Sequence, residues 1–298
     1  MSCIPCRLLS LWPAFLALAL LGACDSYEPD PPEERPVDRF PAWSPSGDRI
    51  AYLHDAGPTA DTTDVTGLYV LDLEADSTWL VTDGLVTSPD WRPDGERIAF
   101  STGDIYTIRP DGSDLQRVTE FGSSFRPRWS PDGHTITFGR SGTTEEVGIW
   151  FAHLVDSTFT KFGFGATPAD WSPSGHRIVY NFQDQLWTAD TSRIDSTQLT
   201  DNEFVNNRYP AWSPNGSGIA WSPITDDGNY ELWIMRADGT GKRKLAEGGS
   251  FPAWGPGSER IVFAKPARES DLTALWTIRR DGSDLRQITD PSRNPLNE

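Results

Sequence analysis

Six tryptophans, each set in a near-copy of one phrase, constrain this chain more than any other feature. The phrase stands first as Phe40-Pro41-Ala42-Trp43-Ser44-Pro45-Ser46-Gly47, returns around Trp91, Trp129, Trp171 and Trp212, and closes as Phe251-Pro252-Ala253-Trp254-Gly255-Pro256-Gly257. The tryptophans lie 48, 38, 42, 41 and 42 residues apart, the period of a β-propeller blade. Each repeat predicts four short strands. Pro-x-Trp opens the first, and the Ser-Pro-x-Gly that follows matches a type I turn. An apolar run such as Arg49-Ile50-Ala51-Tyr52 or Arg260-Ile261-Val262-Phe263 forms the second. The third pairs Leu or Ile with an aromatic, from Leu68-Tyr69 through Ile149-Trp150 to Leu275-Trp276, and Asp-Gly turns such as Asp111-Gly112 lead into the fourth. The expected fold is an all-β, six-bladed β-propeller of four-stranded antiparallel blades over residues 40–289, with 290–298 a short tail. Repetition of the aromatics at one strand position points to wedges between blades; a sugar-binding platform is the alternative for the tryptophans.

The acidic balance, 43 Asp and Glu against 26 Lys and Arg for a net charge of -17, repels nucleic acid and argues against a DNA or RNA partner. Arginine supplies nearly all the positive charge, because Lys161, Lys242, Lys244 and Lys265 are the only lysines.

The N-terminus reads as an export segment. Arg7 precedes an apolar run from Leu8 to Ala23 that is short for a membrane span and ends in Leu21-Gly22-Ala23-Cys24. Small residues directly before a cysteine resemble the lipobox of bacterial lipoproteins. That resemblance implies removal of residues 1–23 and a diacylglyceryl lipid on Cys24; an ordinary secretory segment or a short anchor helix is the alternative. Cys3 and Cys6 lie in the removed part, so no thiol remains for a disulfide, a metal or nucleophilic chemistry. Residues 24–39 are acidic and rich in proline, as an extended tether would be. Membrane attachment through the lipid at the bacterial cell envelope is the expected location, with membrane and leaflet undecided.

The repeated Trp-Ser-Pro-Asp-Gly unit, followed by an apolar pair and an aromatic, resembles the propeller repeat of the TolB family from residue 40 to 289. The resemblance is specific for fold and weak for activity, because related propellers serve translocation, peptidase and oligogalacturonate lyase-like proteins. TolB itself carries a mixed α/β domain ahead of its propeller, whereas only the tether precedes the first repeat here. A contact made through such a domain is therefore not expected.

The chain opens the first repeat at its first strand and ends the sixth at its fourth. Closure by packing of the last blade on the first, with no exchange of strands, is expected. The strand order places both tight turns of every blade on one face and the variable loops on the other, which makes the variable face the candidate binding face. Its long loops carry Asp55, Asp61, Asp64, Glu145, Glu146, Asp226 and Asp227, and also Phe204, Arg208 and Tyr209; tolerated surface insertions are the bland alternative. The residue before each repeat tryptophan runs Ala42, Asp90, Arg128, Asp170, Ala211 and Ala253. Arg128 is thus expected between Asp90 and Asp170 on the innermost strands, with Arg126 nearby, as a structural ion network or as a polar ligand site.

Catalytic motifs are missing. No Gly-x-Ser-x-Gly elbow or His-Glu-x-x-His helix occurs, no histidine pair has ligand spacing, and His134 and His176 are expected at the surface. The Asp111-Gly112-Ser113-Asp114 and Asp281-Gly282-Ser283-Asp284 segments resemble fragments of a calcium loop but read better as turns. No metal or cofactor beyond the lipid is expected. The sequence favours a monomeric, non-catalytic scaffold for an envelope protein or peptide; a carbohydrate-binding or lyase-like propeller with a polar or metal site at the channel mouth is the alternative.

Overall fold

The computed structural model describes residues 36–57, 63–163, 167–192, 195–201, 204–267 and 272–297. The export segment, Cys24, the tether up to residue 35, and Asp61 lie outside the described residues. The strands are β1 (Val37–Trp43), β2 (Arg49–Asp55), β3 (Gly67–Asp72), β4 (Ser77–Asp83), β5 (Thr87–Trp91), β6 (Ile98–Ser101), β7 (Ile105–Ile108), β8 (Gln116–Arg117), β9 (Ser124–Trp129), β10 (Thr135–Arg140), β11 (Gly148–His153) and β12 (Thr158–Gly163). They continue as β13 (Thr167–Trp171), β14 (Arg177–Phe182), β15 (Gln185–Asp190), β16 (Ser196–Gln198), β17 (Asn206–Trp212), β18 (Gly218–Ile224), β19 (Glu231–Arg236), β20 (Arg243–Glu247), β21 (Ser250–Trp254), β22 (Arg260–Pro266), β23 (Thr273–Arg279) and β24 (Arg286–Gln287). The strands from β5 to β20 form four separate four-stranded sheets, each an antiparallel meander in chain order, and β1–β4 with β21–β24 form one eight-stranded sheet. The first strands β1, β5, β9, β13, β17 and β21 touch in succession, and β21 returns to β1. This is the closed inner ring of an all-β propeller.

The repeated turn is built the way its sequence predicts. Ser44, Ser130, Ser172 and Ser213 each donate their N–H to the carbonyl five residues on and accept that residue's N–H on Oγ. Fourth in the turn stands a glycine with positive φ, from Gly47 to Gly216, except in the last copy, where Ser258 takes the same conformation at φ 59°. A second repeated device holds the third strand: Ile105, Leu186 and Leu275 donate their N–H to the Oγ1 of Thr119, Thr200 and Thr289. Between blades the alternate faces of the strands bury Ile50, Ile98, Ile136, Ile178, Ile219 and Ile261, all fully inaccessible. At about 25 cal/mol per Å² of apolar surface, such burial is the main force holding the ring together.

Closure departs from the expectation of packing alone. Val37, at the start of β1, makes a parallel bridge with Thr273 of β23, so the last sheet continues into the first. No strand is exchanged, because β24 still pairs with Trp276 and Thr277 of β23. The reason is length: β24 has two residues and leaves the start of β23 with an open edge, which β1 takes. The tail adds a clasp, with the Asn294 amide donating to the Thr63 carbonyl at 2.8 Å and the 3-10 turn Pro295–Asn297 lying against β4.

Candidate functional site in the central channel

Every first strand carries a β-bulge just before its tryptophan, between Arg39 and Ala42, Thr87 and Asp90, Thr167 and Asp170, Arg208 and Ala211, and Ser250 and Ala253, with the equivalent shift in β9. At the bulge Phe40, Ser88, Arg126, Tyr209 and Phe251 take φ between 51° and 55°, the left-handed region. Each precedes a buried proline, which has no N–H to leave orphaned where the ladder skips a residue. Non-glycine residues hold this conformation at a cost of about 1–3 kcal/mol and only where their surroundings dictate it. Here the bulge swings these side chains inward.

They meet in the channel. The Phe40 and Phe251 rings are 4.2 Å apart, Phe251 and Tyr209 4.3 Å, and the Arg126 guanidinium lies over the Tyr209 ring at 4.3 Å. Arg126 belongs to β9 and Tyr209 to β17, with β13 between them in the ring, so the contact spans the channel. The Tyr209 hydroxyl is 3.5 Å from that of Tyr230. Burial works against ionisation of the Tyr209 phenol, yet the positive charges of Arg126 and Arg208, with the Tyr230 hydrogen bond, hold it below its ordinary value.

One layer toward the tight turns stand Asp90, Arg128 and Asp170, all half-buried. The array forms, but not as an ion pair: Arg128 donates to the carbonyl of its neighbour Pro127 at 2.9 Å, and among the described residues no carboxylate lies within 4.0 Å of its guanidinium. Instead Asp90 accepts the backbone N–H of Trp129 at 2.7 Å, and Asp170 that of Trp212 at 2.6 Å. Each carboxylate thus ties its blade to the next. Desolvation pushes the Asp90 carboxyl up to about 7, against the pull of Arg128 and the Trp129 N–H and with help from Asp170. Asp170 is raised for the same leading reason.

Three of the other blade boundaries use the indole. Trp91, Trp171 and Trp254 donate Nε1–H to the carbonyls of Ala42, Arg128 and Ala211 at 3.2, 3.3 and 3.1 Å. The two kinds of tie alternate along the chain from the first blade to the last, the closing boundary has neither, and among the described residues the buried indole N–H groups of Trp43 and Trp129 have no hydrogen-bond partner. The tryptophans are therefore interblade wedges. Arg208 precedes Tyr209 on β17, opposite Ser222 of β18, and its charge reaches the Tyr209 phenol.

Sequence reasoning missed a second cluster. His54 is fully buried, with Nδ1 2.7 Å from Asp38 Oδ1 and Nε2 3.1 Å from Asp64 Oδ1. Burial disfavours the charged ring, but the two carboxylates hold its pKa above the usual value. Only the β1–β2 register, which sets Asp38 opposite His54, could have revealed it. His134 and His176 are exposed as expected. Among the described residues no three His, Cys, Asp or Glu side chains gather as a metal ion requires. A groove of about 470 Å³ on the tight-turn side holds Arg97 and Arg117, but both are paired, with Asp114 and Asp104.

Residues 37–258 match the TolB β-propeller domain, and the chain belongs to that family. An uncharacterised protein of Agrobacterium fabrum is 26% identical over 211 residues, 61% of this chain and 66% of that one. An uncharacterised peptidase of Bacillus subtilis is 23% identical over 220 residues, which cover 65% of this chain but 31% of the peptidase. The chain thus spans less than two thirds of either relative. Among solved structures, TolB from Acinetobacter baumannii superposes with a TM-score of 0.69 at 22% identity, over 79% of this chain and 62% of that one.

Proposed function

We propose that this protein is a lipid-anchored, non-catalytic propeller of six blades, the eight-stranded sheet counting as two, that binds an envelope protein or peptide through its channel mouth and variable face. The observation that carries the reading is the strained inner ring: five equivalent residues held in the left-handed region present Arg126, Tyr209, Phe40 and Phe251 to one channel. Local strain that the surrounding fold enforces is a mark of functional positions. The membership of the TolB propeller family supports a scaffold of this kind. Lipid on Cys24 and the tether would hold the propeller near a membrane without spanning it, since acyl chains contribute about 0.8 kcal/mol per buried methylene.

The test is crosslinking and capture from native membranes, comparing wild type with a variant carrying Ala at 126, 128, 208 and 209. An envelope protein recovered with wild type and lost with the variant is the expected result. Equal recovery with both would remove the channel from the reading. Mass spectrometry of the mature N-terminus tests the anchor, which predicts a diacylglyceryl-modified Cys24.

A further inference from the structure

The channel holds two guanidinium groups that, among the described residues, make no ion pair within 4.0 Å, although Asp90 and Asp170 feel the charge of Arg128 from farther off. Elsewhere arginines find acids readily, as a chain with 43 Asp and Glu allows. Arg97, Arg117, Arg140 and Arg177 each hold a carboxylate oxygen at 2.6 to 2.8 Å. Arg126 and Arg128 are different: among the described residues no carboxylate lies within 4.0 Å of either, although both are half-buried. Two acids do stand in the channel, but each is turned to the neighbouring blade, Asp90 to the Trp129 N–H and Asp170 to the Trp212 N–H. Arg126 is also fixed. Its Cζ lies 4.3 Å from the centre of the Tyr209 ring, which is itself held against Phe251. A guanidinium seated on a ring in this way loses little freedom when a planar acceptor reaches its remaining N–H groups.

We infer that the channel recognises a carboxylate on an extended peptide, received by Arg126 with Arg128 one layer below, while Tyr209, Phe251 and Phe40 contact the adjoining apolar part of the ligand. This rests on the reading of the protein as a peptide-binding scaffold and names the group it reads. Arginine and carboxylate match as two parallel N–H···O bonds, shorter and stronger than neutral ones. An amide or an alcohol offers no such match. The source of the carboxylate is a peptide C-terminus or an Asp or Glu side chain, and both present the same planar acceptor.

The experiment uses the full chain, immobilised in detergent, and three pools of random N-acetyl hexapeptides. One pool ends in a free carboxylate, the second is amidated and free of acids, and the third is amidated with one Glu. Retained peptides are quantified by mass spectrometry for wild type, Arg126→Gln, Arg128→Gln and Arg126→Lys. Retention of the first or the third pool, at least tenfold above the second and at least tenfold reduced by Arg126→Gln, is expected; which of the two is retained identifies the source. Arg126→Lys keeps the charge without the fork and should retain less than wild type but more than Arg126→Gln. Equal retention of all three pools, or undiminished retention by Arg126→Gln and Arg128→Gln, overturns the inference. Binding of a tri-galacturonate probe in place of every peptide overturns both this inference and the scaffold reading. Capture of a membrane partner by wild type with no carboxylate preference among the pools would overturn this inference alone.

Discussion

Replacing Asp90 with Asn should make the protein more stable above neutral pH and leave it nearly unchanged in mild acid. The Asp90 carboxyl is pushed up to about 7 from an ordinary 3.8 in the unfolded chain. Between those values the folded state binds a proton that the unfolded state has released, so wild-type stability falls as pH rises through that window. At about 1.4 kcal/mol per pH unit, the full separation corresponds to about 4 kcal/mol. Water in the channel screens part of this, and a gain of about 1–3 kcal/mol is the expected size. Asparagine carries no titratable proton, and its carbonyl oxygen can still accept the Trp129 N–H. Urea unfolding of wild type and Asp90→Asn at intervals from about pH 4.5 to about pH 8 gives the difference directly. The two curves should approach each other at the acid end, separate as pH rises and run parallel above about 7. A variant less stable than wild type at pH 8, or a difference that does not change with pH, would show that Asp90 is ionised at little cost and that Arg128 compensates it.

Two tryptophans test the alternating ties. Trp91 and Trp129 are equally buried, but only the indole of Trp91 has a partner, so Trp91→Phe should cost about 1 kcal/mol more than Trp129→Phe by thermal unfolding. His54 works in the same pH sense as Asp90, over a higher window: its pKa is raised, so its contribution is fully present below about 6.5 and is lost as pH rises through the folded value. His54→Ala should destabilise by about 3–5 kcal/mol at pH 6, because two carboxylates are left without their ring, and by less at pH 9. A penalty independent of pH would mean that the ring is neutral throughout. Gly47→Ala should cost more than Gly84→Ala, since both have positive φ but a Cβ at Gly47 would stand 2.9 Å from Pro256 whereas nothing lies near Gly84; equal melting temperatures would refute that contact.

How much was legible in the sequence depends on whether a feature is local. The Ser-Pro-x-Gly turns and the third-strand aromatics could be placed because their hydrogen bonds join residues a few positions apart. Asp90, Arg128 and Asp170 could be brought to one layer, because a strand position repeated at blade spacing maps to one height in the channel. Their bonding could not be read, since each carboxylate reaches a backbone N–H on the following blade, about forty residues away. The inward swing of Arg126 and Tyr209 was hidden for another reason. It depends on a bulge whose register is set by β10 and β18, and Tyr-Pro or Arg-Pro alone would ordinarily suggest an extended conformation. The closure expectation held in that no strand is exchanged but missed the Val37–Thr273 bridge, which depends on how short β24 is and therefore on a pairing far away in sequence.

The bridge between Val37 and Thr273 joins the only two neighbouring blades that are not consecutive along the chain. Phe40 and Phe251, which line the channel, lie on either side of that boundary. The covalent chain crosses every other boundary, so here the Val37–Thr273 bridge and the Asn294–Thr63 clasp stand in for the missing peptide link and keep the ring shut.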